Sequence, residues 1–153
     1  MMDHIAIVIF SVIFLVLAII DLRTKIIPNI IIYPSIILAL VISSFTTKGL
    51  LNSTIGGVVG FTIVLVPALV SNGGIGFGDV KLAGLIGIVT GFGEVLIAIA
   101  LAFILGGLIA IILMATNTKR HDIPMGPYLS IGAIVSMIWG TRIIDIYLRE
   151  VRT

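Results

Sequence analysis

Apolar and polar positions along this chain come in blocks. Apolar runs fall at about 5–20, 30–46, 50–70, 80–92, 94–116 and 125–145, and each break between them carries charge or turn chemistry. The breaks contain DLRTKIIPN, TTKG, SNGGIGFGD, GFGE and TNTKRHDIPMGP, which supply charges, a Pro-Asn pair and glycine-rich turns. A bilayer span needs on the order of 20 apolar residues and must satisfy its backbone internally, so such runs predict membrane-crossing helices. The expected fold is therefore an all-α, polytopic membrane helix bundle of about six transmembrane helices. The fourth run is short. From Asp79 to Phe92 it has 14 residues, which reach only about 21 Å against a hydrocarbon core of roughly 30 Å. Either the bilayer thins there, or Asp79 lies below the headgroups, inside protein and reached by water. Glycines recur within the runs (Gly56, Gly57, Gly60, Gly84, Gly87, Gly106, Gly107), as expected where helix backbones approach closely.

Composition narrows the function classes. The chain is 59% hydrophobic and 10% charged, with a mean hydropathy of +1.33, far from the roughly 25% charged of soluble domains. Its 153 residues leave room for short spans and tight loops, so a single membrane-embedded domain over 1–153 is expected, with the lipid bilayer as its surroundings. The net charge of +2 comes from scattered Lys and Arg without a basic stripe, which removes nucleic acid as a partner. No cysteine is present, which removes disulfides, thiolate zinc sites and a cysteine nucleophile. Zinc would have to rest on His4 and His121 with carboxylates, across opposite sides of the membrane, so neither metal nor cofactor is expected. The first run lacks a basic flank and a small-x-small cleavage site before Asp21, and reads as a retained span.

If all six runs span, the breaks at 21–29, 71–79 and 116–124 share one side with Arg23, Lys25, Lys81, Lys119 and Arg120, while the opposite breaks hold Lys48. That asymmetry makes the first side cytoplasmic, although Arg142, Arg149 and Arg152 on the other side blunt it. Either way, Asp21 and Asp79 fall on the same face.

Acids in such a chain are functional-site hypotheses by default. Two aspartates on neighbouring helix ends can share one proton, because like charges a few ångströms apart cannot both ionise. One carboxylate then draws a proton from water while the other polarises a carbonyl, which amounts to peptide hydrolysis without a metal or a nucleophilic side chain. The glycines before Asp79 let an extended substrate approach the backbone. Each acid also has an ordinary explanation. Asp21 can be an interfacial charge paired with Arg23 or Lys25, and Asp79 can be the N-cap of a helix beginning at Val80. GGIGFG lacks the register of a nucleotide loop. Lys81 can neutralise the interface or lower an aspartate's pKa, and Glu94, Asp3 and Asp145 read as surface charges on the opposite side, with His121 solvated.

Three stretches taken together carry a resemblance. IDLRTKIIPN (20–29), GGIGFGDVKL (73–82) and IPMGPYLSIGA (123–133) resemble the three signatures of the type IV prepilin leader peptidase family, membrane aspartyl proteases of the GxGD type. The match keeps order, spacing and sidedness over nearly the whole chain. It implies that Asp21 and Asp79 are the catalytic pair, the latter within Gly76, Phe77, Gly78 and Asp79. It further implies that Pro124, Gly126 and Pro127 shape the site and that Asn29 and Lys81 support it. The implied substrate is a membrane-anchored prepilin-like or preflagellin-like precursor, with a short basic leader before an apolar helix, cut at the cytoplasmic face of the cell membrane. With no cysteine pairs, the chain resembles the short, peptidase-only members, so methyl transfer is not part of the expectation.

Two other classes compete. A proton- or cation-coupled transporter would carry midplane acids and repeated halves, and a non-catalytic assembly subunit would tolerate loss of either aspartate. A rhomboid-like serine protease needs a Ser-His pair, for which neither histidine is placed, and a zinc protease needs HExxH, which is absent.

Overall fold

The computed structural model describes residues 2–70, 76–115 and 124–151. Gly73 and Gly74 of the glycine-rich break, together with Lys119, Arg120, His121 and Arg152, lie outside the described residues. Six helices follow in order: α1 (Met2–Thr24), α2 (Asn29–Ser43), α3 (Gly49–Val70), α4 (Phe77–Thr90), α5 (Phe92–Ala115) and α6 (Gly126–Val151). Each corresponds to one apolar run. By length and composition α1, α3, α5 and α6 can cross a membrane, whereas α2 and α4 are shorter, at 15 and 14 residues. This is a multi-pass membrane protein of the all-α class expected from the hydropathy.

The helix ends follow local chemistry. After α1, Lys25 adopts a left-handed conformation (φ 54°) and its N–H donates to the Asp21 carbonyl at 2.8 Å, closing the last turn as a glycine usually does. Pro28 precedes α2 with φ −72°, and its carbonyl accepts the N–H groups of Ile31 and Ile32. α2 stops before the end of its apolar run, where the hydroxyls of Ser43 and Ser44 both donate to the Leu40 carbonyl. α4 and α5 are separated by one residue, Gly91, whose φ of 87° reverses the chain while its N–H still bonds to Gly87. A side chain there would be strained.

α4 is enclosed by the others. It packs most extensively along α3 and also meets α2, α5 and α6. Val80, Leu82, Ala83, Leu85 and Ile86 are all fully buried, so its shortness is accommodated by protein around it, the second of the alternatives raised by its length. Gly56 and Gly87 let α3 and α4 meet backbone to backbone, and a Cβ on either would run into the main chain of the other helix. Around the outside, Val8, Val12 and Leu15 of α1, Leu51, Ile55 and Val58 of α3, and Ile104, Leu108 and Ile111 of α5 stand exposed at helical spacing. Apolar stripes facing outward are what lipid as solvent selects.

The C-terminus of α1 and the N-termini of α4 and α6 meet at one end of the bundle. The α2–α3 turn and the α4–α5 joint meet at the other. Asp21 and Asp79 thus share an end, as the alternation of breaks requires.

Candidate active site

Asp21 lies in the last turn of α1 and is 4% exposed; Asp79 lies in the first turn of α4 and is 9% exposed. Both line one cavity of about 330 Å³, walled also by Lys25, Ile26, Ile27, Asn29, Gly76, Phe77, Gly78 and Lys81. The two carboxylates are close enough for the charge of one to act on the other.

They are held differently. The Asp21 Oδ2 accepts the Gly126 N–H at 3.0 Å. Gly126 is the first residue of α6, so Asp21 faces a helix N-terminus, where unpaired amides and the helix dipole favour negative charge. A Cβ at Gly126 would press on the Asp21 carboxylate, which explains why that position has no side chain. Asp79 is the third residue of its helix, whose N-cap is Gly76. The Asp79 carboxylate reaches back to the Gly76 N–H while its own N–H donates to the Gly76 carbonyl at 3.0 Å, a reciprocal arrangement akin to a capping box. The alternative of Asp79 as N-cap before Val80 is therefore corrected: the helix begins two residues earlier than Asp79, because Gly76 supplies the extended N-cap conformation itself. The Asp79 Oδ1 is buried with no hydrogen-bond partner among the described residues. An orphaned buried oxygen costs on the order of 1–3 kcal/mol, so its retention in a fold calls for a reason such as strain, a catalytic role or a bound water.

Lys81 does not pair with either aspartate. Its Nζ donates to the Asn29 Oδ1 at 2.9 Å and sits 5.1 Å from the centre of the Tyr33 ring, joining the starts of α4 and α2. Gly78 packs on Ile27, which a Cβ would touch at 3.0 Å. Pro124 and Pro127 flank Gly126 and are not part of the cavity wall. Ile27 and Tyr33 were not legible as site residues, since an apolar residue and a tyrosine beside a proline carry no chemical signal of their own. Among the described residues no three His, Cys, Asp or Glu side chains converge as metal ligands.

The opposite end holds a second polar cluster that corrects the surface reading of Glu94. Glu94 is 7% exposed. Its Oε1 pairs with the Lys48 Nζ at 2.9 Å, the same ammonium donates to the Thr90 carbonyl at 2.6 Å, and the Ser136 hydroxyl donates to the Glu94 carbonyl at 2.6 Å. Lys48 belongs to the short TTKG turn, which wraps over the α4–α5 joint and supplies the partner.

Fold and site define a polytopic membrane protein whose helices enclose a pair of carboxylates at one end. Comparison with known proteins narrows this class. The chain belongs to the type IV leader peptidase family, which it matches over residues 8–111. It is 31% identical over 149 residues to the prepilin leader peptidase/N-methyltransferase of Bacillus subtilis (strain 168), covering 93% of this chain and 58% of that protein. With the protein of the same name from Stutzerimonas stutzeri it shares 28% identity, over 90% of this chain and 50% of the relative. With that of Xanthomonas campestris pv. campestris it shares 34%, over 85% and 48%. The chain spans about half the length of these curated relatives. No solved structure gives a significant match.

Proposed function

We propose that this protein is a membrane aspartyl endopeptidase that removes the short basic leader from type IV prepilin-like or preflagellin-like precursors, with residues 1–153 acting as one peptidase domain. The observation that carries the reading is the pair of buried carboxylates in one cavity, one held by the first amide of α6 and the other with a free buried oxygen. A peptide carbonyl lying between them accepts a hydrogen bond from whichever aspartate is protonated. The other aspartate takes a proton from water as its oxygen bonds to the carbonyl carbon, while the first passes its proton to the carbonyl oxygen, giving a tetrahedral gem-diol. On collapse the newly protonated aspartate gives its proton to the departing nitrogen, the C–N bond breaks, and the other takes a proton from a diol hydroxyl, so that the pair again shares one proton.

Gly76 keeps the floor beside Asp79 clear for an extended peptide, Gly78 lets Ile27 pack against the start of α4, Gly126 orients Asp21, and Pro124 and Pro127 rigidify the backbone that presents its amide. Lys81 and Asn29 brace the rim. The basic residues Arg23 and Lys25 support a cytoplasmic orientation of this end, within the cell's cytoplasmic membrane. The names of the relatives support a precursor of the prepilin type as the substrate.

The test is co-expression of the wild type, Asp21→Asn and Asp79→Asn forms with a candidate prepilin from the same genome, reading leader removal by mass spectrometry. Cleavage by the wild type alone is expected, and the mass of the new N-terminus reports in the same spectrum whether a methyl group is added. Cleavage that survives either substitution would sink the reading.

A further inference from the structure

A second cavity of about 490 Å³ lies between α2, α3 and α4 and is almost wholly apolar. Each helix contributes one face over about two turns: Tyr33 to Leu40 of α2, Thr54 to Phe61 of α3, and Lys81 to Ile88 of α4. At its floor Gly57 and Gly84 bring α3 and α4 close together, with Ile88 seated against Gly57 and Phe61 against Gly84. Val58, on its rim, is 62% exposed on the outer surface of the bundle, so the groove is reached sideways from lipid. Lys81 belongs to the walls of both this groove and the aspartate cavity. The groove and the aspartate cavity therefore adjoin at Lys81.

We propose that this groove seats the apolar helix of the precursor, immediately after the bond to be cut. The inference rests on the peptidase reading above and assigns where its substrate docks. From Lys81 to Ile88 the groove runs about 10 Å, two turns of helix, and its volume takes the side chains of one helix face but not a whole helix of ~10–12 Å diameter. That is the geometry of a helix laid in a groove through residues at i, i+3 or i+4, and i+7. The polarity runs in the same order as such a substrate. The walls are apolar as far as Tyr33, then become Lys81 and Asn29, then the two aspartates, as suits a chain whose helix is apolar and whose cut segment is polar. The Lys81 ammonium, braced by Asn29 and Tyr33, marks the junction.

A lipid acyl chain is the competing occupant, and the experiment separates the two. A benzoylphenylalanine photo-crosslinker replaces Val58 in the Asp79→Asn protein, in membranes that contain the uncleaved precursor of the cleavage test. Adducts to the precursor are expected, mapping by mass spectrometry to the two helical turns after the cut. Adducts to phospholipid alone, or to the leader, overturn the proposal. In the active protein, Val58→Trp fills the groove and is expected to raise KM for the precursor about tenfold with kcat within about twofold. Ile104→Trp, on the outer face of α5 and 64% exposed, leaves KM as in the wild type. An unchanged KM for Val58→Trp also overturns it. The two readings fail separately: crosslinks to the precursor helix without cleavage by the wild type reject the peptidase, whereas cleavage with crosslinks only to lipid rejects the groove.

Discussion

The two ends of this bundle handle buried charge in opposite ways. At the Lys48 end, Glu94 meets a cation at 2.9 Å and its backbone carbonyl is satisfied by Ser136, so the cluster ties the α2–α3 turn to α4, α5 and α6. At the aspartate end, two carboxylates are buried in one cavity, the Asp79 Oδ1 has no partner, and the neighbouring Lys81 is turned to Asn29 and Tyr33. One cluster resembles a rivet and the other a socket. The difference lies in how the charge is completed: a charge that is fully paired ties elements together, whereas the unpaired Asp79 oxygen is the feature on which the proposed peptidase reading rests.

The contrast is sharpest for the aspartates themselves. Asp21→Asn or Asp79→Asn should each lower precursor cleavage by about 10³-fold or more, since general acid–base partners contribute on that scale, while the protein still accumulates in membranes. Leader removal by mass spectrometry measures the first, and detergent-extracted yield and helicity the second. Glu94→Ala should do the reverse. Stranding a partly buried ammonium should cost about 2 kcal/mol, less than a fully buried pair because Lys48 keeps contact with solvent. The shift appears in thermal unfolding in detergent, with the activity of the folded fraction preserved. If Glu94→Ala abolished cleavage without changing stability, the division between the two ends would be wrong.

Gly126→Ala tests how the socket is held. Its Cβ would press on the Asp21 carboxylate, and a displacement of about 1 Å at a reacting group costs up to ~10²-fold. We expect a fall of about tenfold in kcat, measured at saturating precursor. The smallest effect is expected of Lys81→Ala, a loss of a few fold, because the ammonium braces the rim and touches neither carboxylate; it should appear in KM more than in kcat. A loss as deep as that of Asp79→Asn would mean that Lys81 acts on the chemistry directly.

Hydropathy made the helices legible, since an apolar run flanked by charge has few other solutions in lipid. The shared end of Asp21 and Asp79 followed from alternation alone. What the pattern concealed were contacts between residues distant along the chain. Glu94 looked superficial because its partner Lys48 lies 46 positions away in a turn that reads as plain polar punctuation. Asp79 looked like a cap because the glycine that takes the N-cap position has no side chain to announce it. The groove between α2, α3 and α4 was hidden for a related reason: its walls come from three helices separated along the chain, and a space between them leaves no mark in a sequence.

The hydrogen bond from Gly126 to Asp21 spans 105 positions of the chain. During synthesis the first aspartate therefore waits through four further helices before the amide that orients it exists, and the second enters the bundle midway. A chain that has not yet docked α6 against α1 lacks the amide that Asp21 accepts, whereas Asp79 already has its partner in Gly76. Assembly order is thus written into the carboxylate pair, which is complete only after the last helix has closed on the first.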